Sequence, residues 1–241
     1  MAIFKKNEMD FYKKQCVLLC LGAVLLWLVF DYTNIDIFVS TVFFDAKTSS
    51  WPYYNTFLTG KLGYLWIKSL LVLYGVLLSI LLACSFKSNS FKVQRKWIVF
   101  LLLSMIIVPA EISMLKHTFY KPRPEQVFEF GGNMPHVKLG EFLWNQPSAS
   151  NWPGGHASGG AALVSLYFAG RQISDNWGKT GLFCGILLSQ LMGFVQVARG
   201  QHFLSHNLWT LWFAWFTVVS LHFFMFDYIS SQKLSPHLLK D

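Results

Sequence analysis

Apolar runs long enough to cross a membrane recur along the chain, and charged or turn-forming residues separate them. A helix needs about 20 mostly apolar residues to span the roughly 30 Å hydrocarbon core of a bilayer. Six runs approach this length, at residues 14–30, 62–86, 97–115, 156–170, 180–198 and 203–226. The pattern predicts an all-α fold, an integral membrane bundle of six transmembrane helices, in which the short fourth run begins at the interface.

The connection between the first two runs carries a further apolar stretch. Residues 36–44 are largely apolar but too short to span, so we expect an interfacial helix there. Trp51, Tyr53 and Tyr54 follow and fit an aromatic belt at the membrane surface. The chain shows no internal repeat and no low-complexity segment, which indicates a single domain over residues 1–241.

Composition supports a membrane bundle and argues against a nucleic-acid-binding protein. The chain is 54% hydrophobic and only 13% charged, and its net charge of +8 lies in short clusters between the apolar runs. The four cysteines fall inside apolar runs without a CxxC spacing, so we expect small core residues and neither a disulfide nor a zinc site.

The clusters of Lys and Arg predict the orientation of the bundle. Short loops rich in Lys and Arg stay on the cytoplasmic side. Such clusters precede the first run and fill residues 87–96. Further cations lie at Arg171 and Lys179, between the fourth and fifth runs, and at Lys233 and Lys240. Both termini and these loops should be cytoplasmic, and the connections 31–61, 116–153 and 199–202 should lie on the opposite side.

Polar residues gather in three stretches on that opposite side. They are Lys116, Lys121 and Arg123 after the third run, Gly154, Gly155 and His156 at the start of the fourth, and Arg199, His202 and His206 between the fifth and sixth. Taken singly, the cations could snorkel to headgroups and the i, i+4 histidine pair could be hydrogen-bonded core. A metal site is not expected, because no Asp, Glu or Cys near the pair completes a ligand shell.

Taken together, the three stretches indicate a phosphoryl site. Guanidinium and ammonium groups bind phosphate oxygens, and glycines at a helix start let backbone N–H groups approach an anion. One histidine can attack phosphorus while another protonates the leaving oxygen. An ionisable cluster near helix ends in a membrane protein is a functional hypothesis by default.

At these residues the chain resembles the type 2 phosphatidic acid phosphatase family, whose motifs read K-x6-R-P, P-S-G-H and S-R-x5-H-x3-D. Lys116 through Arg123-Pro124 matches the first motif without change. The second reads Pro153-Gly154-Gly155-His156, so the serine of the motif is absent. The third is the most altered of the three.

Two registers of the third motif remain open. With His202 as the nucleophile, His206 stands where the orienting aspartate should be, Gln196 stands where arginine should be, and Arg199 comes one turn later. With Arg199 as the motif arginine, His206 becomes the nucleophile and Thr210 its orienter. We prefer the His202 register, and Glu111 is a candidate substitute for the aspartate or a partner of Lys116.

The resemblance implies metal-independent and cofactor-independent removal of phosphate from a phosphorylated membrane lipid through a phosphohistidine. It implies a six-helix fold with the site on the periplasmic face of a bacterial inner membrane. Undecaprenyl diphosphate, phosphatidylglycerol phosphate and lipid A are candidate substrates. Lipid-to-lipid phosphotransfer onto lipid A, or a binding or transport protein that has lost catalysis, are the alternatives.

Overall fold

The computed structural model describes residues 2–87, 91–141 and 145–228, without the side chains of residues 2–8, 62–64, 227 and 228. The tail that carries Lys233 and Lys240 lies outside these residues. The helices are α1 (Ala2–Tyr32), α2 (Ile35–Thr41), α3 (Ile67–Ser85), α4 (Lys92–Thr118), α5 (Gly155–Ala162), α6 (Leu166–Arg171), α7 (Asp175–Ala198) and α8 (Leu204–His222). A π-helical segment, Phe57–Trp66, leads into α3, and another, Phe223–Tyr228, continues α8.

The all-α class is confirmed, since the described part of the chain contains helices and isolated bridges but no strand. Five helices are long and apolar enough to cross a membrane, which makes this an integral membrane protein. They cover Met9–Tyr32, Ile67–Ser85, Lys92–Thr118, Asp175–Ala198 and Leu204–Phe226. The orientation of these helices and the face on which the site lies stay predictions.

The fourth predicted span, residues 156–170, is not one of these five helices. It forms α5, a 3-10 turn over Leu163–Ser165, and α6 in succession. The sequence of α5, GHASGGAA, is dominated by glycine and alanine, and most of its residues are buried. Close packing against neighbouring helices therefore stabilises it, and it has no long apolar surface. The count of six spanning helices is therefore not confirmed by the structure.

Small residues bring α5 and α6 into backbone contact with α7. A Cβ atom added at Gly160 would lie 2.6 Å from the backbone nitrogen of Ser189, and one added at Gly185 would lie 2.6 Å from that of Val164. Gly178 and Gly181 approach the α6 backbone in the same way. Small residues at membrane helix interfaces allow this close packing, which replaces the hydrophobic driving force available in water.

The short helix α2 docks against the loops at the end of the bundle where α8 begins. Its inner face buries Asp36 and Ser40. Ile37, next to Asp36, packs on a cluster of Val127, Phe130 and Phe203, to which Phe44 and Trp51 add their rings. The helix expected in the 36–44 stretch is thus present, and it connects the first loop to the residues around the α7–α8 turn.

We expect Gly185→Ala to destabilise the bundle by about 1–3 kcal/mol, because the new methyl group would overlap backbone atoms that cannot move aside. Unfolding of the purified protein in detergent, followed by circular dichroism, measures the effect. Gly75→Ala on α3 is the matched control, since its nearest contact would be a normal 3.9 Å to Met105. Equal stability of the two variants would show that the close contact of α7 with the 3-10 turn Leu163–Ser165 does not limit stability.

Candidate active site

The segment after α4 is held against the loop that precedes α5. The Ser150 hydroxyl donates to the Lys116 carbonyl, and Lys121 forms an isolated parallel bridge with Ser150. The Gln126 side chain then accepts from the Arg123 backbone N–H at 3.1 Å and from the Asn151 amide at 3.0 Å. These bonds bring the first motif beside the residues that lead into the second.

Arg123 is fixed beside the α7–α8 turn through an acidic neighbour. Its guanidinium forms an ion pair with Glu125, whose carboxylate also accepts from the Gln201 amide at 2.5 Å. The Glu125 backbone N–H donates to the Gly200 carbonyl at 3.2 Å. Arg123 therefore carries a carboxylate partner that a phosphate group would compete with.

The start of α5 is fastened to the first turns of α8. The Gly154 N–H donates to the His206 carbonyl at 2.9 Å, and the Thr210 hydroxyl donates to the Gly154 carbonyl at 3.0 Å. A Cβ at Gly154 would lie 2.5 Å from the Asn207 side-chain oxygen and 3.3 Å from the His206 carbonyl oxygen, so any larger residue here would displace the Asn207 side chain. The Gly154 N–H is thus occupied by His206 and is not available to an anion.

Gly155 lies at the side of α5 that faces Lys116. A Cβ at this position would meet the Lys116 ammonium nitrogen at 3.6 Å, which is an ordinary contact. The space around a Cβ atom does not demand glycine here. The N-terminal end of α5 and the Lys116 ammonium consequently lie together, which is a suitable environment for an anion.

The histidines of the second and third stretches meet at this place. The His202 side chain is buried, and its ring centroid lies 6.0 Å from that of His156. His202 Nδ1 is 3.3 Å from His206 Nδ1, and the backbone of Asn151 hydrogen-bonds to both of these rings. The Nδ1 atom of His202 is therefore engaged by His206.

The electrostatic surroundings keep His202 neutral. Burial lowers the pKa of the His202 imidazole well below its usual value, and the nearby His156, Lys116 and Arg123 lower it further. The Asn151 backbone acts in the opposite direction, more weakly. A neutral imidazole retains the lone pair that a nucleophile requires.

The family motif has one arginine near the phosphate, and Gln196 and Arg199 are the two candidates for its position. The two side chains lie in different surroundings. The Arg199 Nε donates to the Tyr54 carbonyl at 2.9 Å, and its guanidinium lies 5.1 Å from the Tyr54 ring. Gln196 is 2% exposed and lines the same cavity as Lys116 and His156, while Arg199 is not among the described residues that line it. In the register with His202 as the nucleophile, the position of the family arginine is filled by a neutral amide.

The structure also bears on the two remaining candidates for an orienting group. The Thr210 hydroxyl donates to the carbonyls of Gly154 and His206, so it does not serve an imidazole. The Glu111 carboxylate accepts from Thr217 on α8. These contacts favour the register in which His206 and the Asn151 backbone, and no carboxylate, orient His202.

A cavity of about 890 Å³ leads away from Lys116 and His156 between α3, α4, α5 and α7. Apolar side chains such as Val76, Ile80 and Met105 line most of it. Lys68 lines it too, and sequence reasoning missed this residue. Its position inside the second apolar run could have identified it, because charged residues within spanning segments are costly and usually functional.

The geometry thus brings Lys116, Gly155, His156 and His202 together, and it places Arg123 close enough to influence His202 and Arg199 close enough to influence His156, with Arg199 also bonded to Tyr54. Residues 97–229, more than half of the chain, match the PAP2 superfamily. No curated protein and no solved structure matches the chain significantly. The chain therefore belongs to the PAP2 superfamily, the type 2 phosphatidic acid phosphatases, which act as phosphatases and phosphoryl-transfer enzymes on lipid-like substrates.

Proposed function

We propose that this protein is a membrane phosphatase that removes phosphate from a lipid phosphate or lipid diphosphate, with His202 as the nucleophile and His156 as the general acid. The observation that carries the proposal is the pairing of these two rings, 6.0 Å apart, beside Lys116 and the start of α5. Two imidazoles this close together can both reach one phosphoryl group, and attack on phosphorus and departure from it require two separate residues.

The reaction proceeds in two balanced steps. Burial, Lys116 and Arg199 lower the pKa of His156 to about 4, and the negative charge of a bound phosphate raises it again, so His156 takes up a proton from solvent when the substrate binds. His202 Nε2 then donates its lone pair to phosphorus, a P–N bond forms, the P–O bond to the lipid breaks, and the leaving oxygen takes the proton from His156. Water then attacks the phosphohistidine while His156 takes back a proton, the P–N bond breaks, and inorganic phosphate leaves. The same residue serves as acid and then as base, as microscopic reversibility requires.

Lys116 and Arg123 stabilise the charge on the transferring group. A loose phosphoryl transition state spreads negative charge over its equatorial oxygens, so catalysis depends on positioned cations. Arg123 exchanges its Glu125 partner for phosphate oxygens, a geometry that its planar guanidinium favours. Lys116 acts from the opposite side, next to Gly155.

The lipid tail enters the cavity between α3 and α4. Along α3 this cavity extends from Lys68 to Ala83, roughly 22 Å at 1.5 Å per residue. Exposed apolar side chains such as Val72, Val76 and Ile106 form its rim, so a tail can slide in sideways from the bilayer. Undecaprenyl diphosphate, phosphatidylglycerol phosphate and lipid A phosphates fit this description, with the site facing the periplasm.

Replacing His202 with Ala should abolish phosphate release and phosphohistidine formation, because no other nitrogen takes its place. Mass spectrometry of protein quenched during turnover of a lipid phosphate, with chelator present, measures the intermediate directly. His117→Ala is the control, since that exposed side chain lies on the same helix end as Lys116. Phosphate release from His202→Ala at the parent rate would contradict the assignment, and lipid-phosphate binding without any phosphohistidine in the parent would identify a binding protein.

Replacing Arg123 with Ala should lower kcat/KM by about 10² or more, because an electrostatic contact to the transferring group is lost. Phosphate release at saturating and limiting lipid separates binding from chemistry. Arg171→Ala is the matched control, since Arg171 pairs with Asp175 at the start of α7, at the opposite end of the bundle. A near-normal rate for Arg123→Ala would reduce this residue to a surface cation.

Replacing Val76 with Trp should block the cavity and reduce turnover of long-chain lipid phosphates at least tenfold, while a short-chain, water-soluble phosphate is hydrolysed normally. Leu77→Trp is the matched control, because Leu77 is 49% exposed against 50% for Val76 and does not line the cavity. The ratio of the two activities in each variant is the measurement. Equal ratios in the two variants would place the tail elsewhere.

A further inference from the structure

A buried polar group from α2 lies behind the two histidines of the α7–α8 turn. Asp36 is 5% exposed, and its Oδ1 accepts from the Ser205 backbone N–H at 2.9 Å. Its Oδ2 accepts from the Ser205 hydroxyl. Lys121, 7% exposed, faces the same small polar pocket. None of the family motifs includes Asp36.

The carboxylate supplies the cap that α8 lacks. The first N–H groups of a helix have no partner within the helix, and a side chain at the N-cap position usually provides one. Phe203 holds that position and offers no hydrogen bond, so Asp36, 169 residues away, caps Ser205 instead. A negative charge is also favoured at this end of the helix dipole.

The turn that Asp36 caps carries both parts of the proposed site. His206 directly follows Ser205, and its ring contacts His202. The His206 carbonyl accepts the Gly154 N–H, which fixes the start of α5 and hence His156. A shift of this turn would therefore alter the relation between His202 and His156.

We propose that Asp36 is a positioning residue that caps α8 from α2, keeps His202 and His206 in register, and makes phosphoryl transfer depend on its own ionisation. This inference rests on the proposed function. It gives a role to the contact between the first loop and the catalytic turn, which the three motifs do not explain.

The charged groups around Asp36 come from every element that packs there. They are Asp31 at the end of α1, Lys121 after α4, His136 and Lys138 in the following loop, Glu141 acting on Lys121, and His206 on α8. Asp31 is engaged by the backbone N–H groups of Leu139 and Gly140. Lys121 is consequently the principal cation facing Asp36 among the described residues.

The pH range follows from this arrangement. Burial raises the pKa of Asp36 to about 6, although Ser205 and Lys121 act in the opposite direction. The carboxylate therefore takes up a proton as the pH falls from 7 to 5, and the charge of Lys121 then acts on His206 without compensation. This disfavours the positive charge that the imidazole pair must accept during attack. The pKa of His202 lies well below this range, so protonation of the nucleophile does not account for such a loss.

The test is a pH profile of kcat/KM for phosphate release from a lipid phosphate. The parent protein should lose about tenfold in rate between pH 7 and pH 5. Asp36→Asn, which resembles the protonated carboxyl group, should be about tenfold slower at pH 7 and flat below it. Ser205→Ala should shift the acid limb upward by about one pH unit, because the carboxylate loses a hydrogen bond.

Asp45→Asn is the matched control, because the Asp45 carboxylate bonds Lys47 and Thr48 within its own loop. It should keep the parent profile. An unchanged acid limb in Asp36→Asn would overturn the role of ionisation, whatever its absolute rate.

A second measurement separates this inference from the proposed function. Asp36→Ala should speed amide hydrogen exchange in residues 203–208 at a fixed pH, and Asp45→Ala should not, because only the first removes the cap. If the parent protein releases no phosphate, the proposed function fails while exchange still tests the cap. If it releases phosphate and Asp36→Ala leaves exchange in this segment unchanged, the cap is wrong and the function stands.

Discussion

Two hydrogen bonds between the start of α5 and the first turns of α8 hold the site together. The Gly154 N–H meets the His206 carbonyl, and the Thr210 hydroxyl meets the Gly154 carbonyl. Buried hydrogen bonds are costly to break because water cannot replace the lost partner. They fix the distance between His156 on one helix and His202 before the other. A glycine at position 154 allows this close approach without displacing the Asn207 side chain.

Much of this arrangement could be predicted from the sequence, because membrane helices and charged residues within them leave strong local signals. Five of the six apolar runs correspond to the five long helices. The observed helix ends differ from the ends of the runs by several residues, because polar residues such as Asp175 extend the helices. The 36–44 stretch gave α2. The motif spacing of Lys116 and Arg123, together with His156 and His202, predicted the group of residues that lie together beside the cavity.

The remainder depends on contacts that no local pattern encodes. The broken α5–α6 segment is held by glycines on α7, so its own apolar length was a poor guide to its form. Arg199 acts on His156, as expected of a residue near the phosphate site, but its Nε also donates to the carbonyl of Tyr54, 145 residues away, and no spacing indicates that contact. Asp36 caps a helix 169 residues away in the same manner. Long-range partners of this kind follow from the fold and not from spacing.

The site orients its histidine with neutral groups where the family motif has an aspartate. The Asn151 backbone and the His206 ring hold the His202 imidazole in place, which is one part of the role of an aspartate. They stabilise the imidazolium less than a carboxylate does, because neither carries a negative charge. In the reaction that we propose, a site with Lys116 and Arg123 close by favours binding of an anion over formation of the cationic intermediate. In the same proposal, the negative charge of Asp36 offsets the positive charge of Lys121, which would otherwise disfavour the cationic intermediate further. Asp36 does this without competing with phosphate for Lys116 and Arg123.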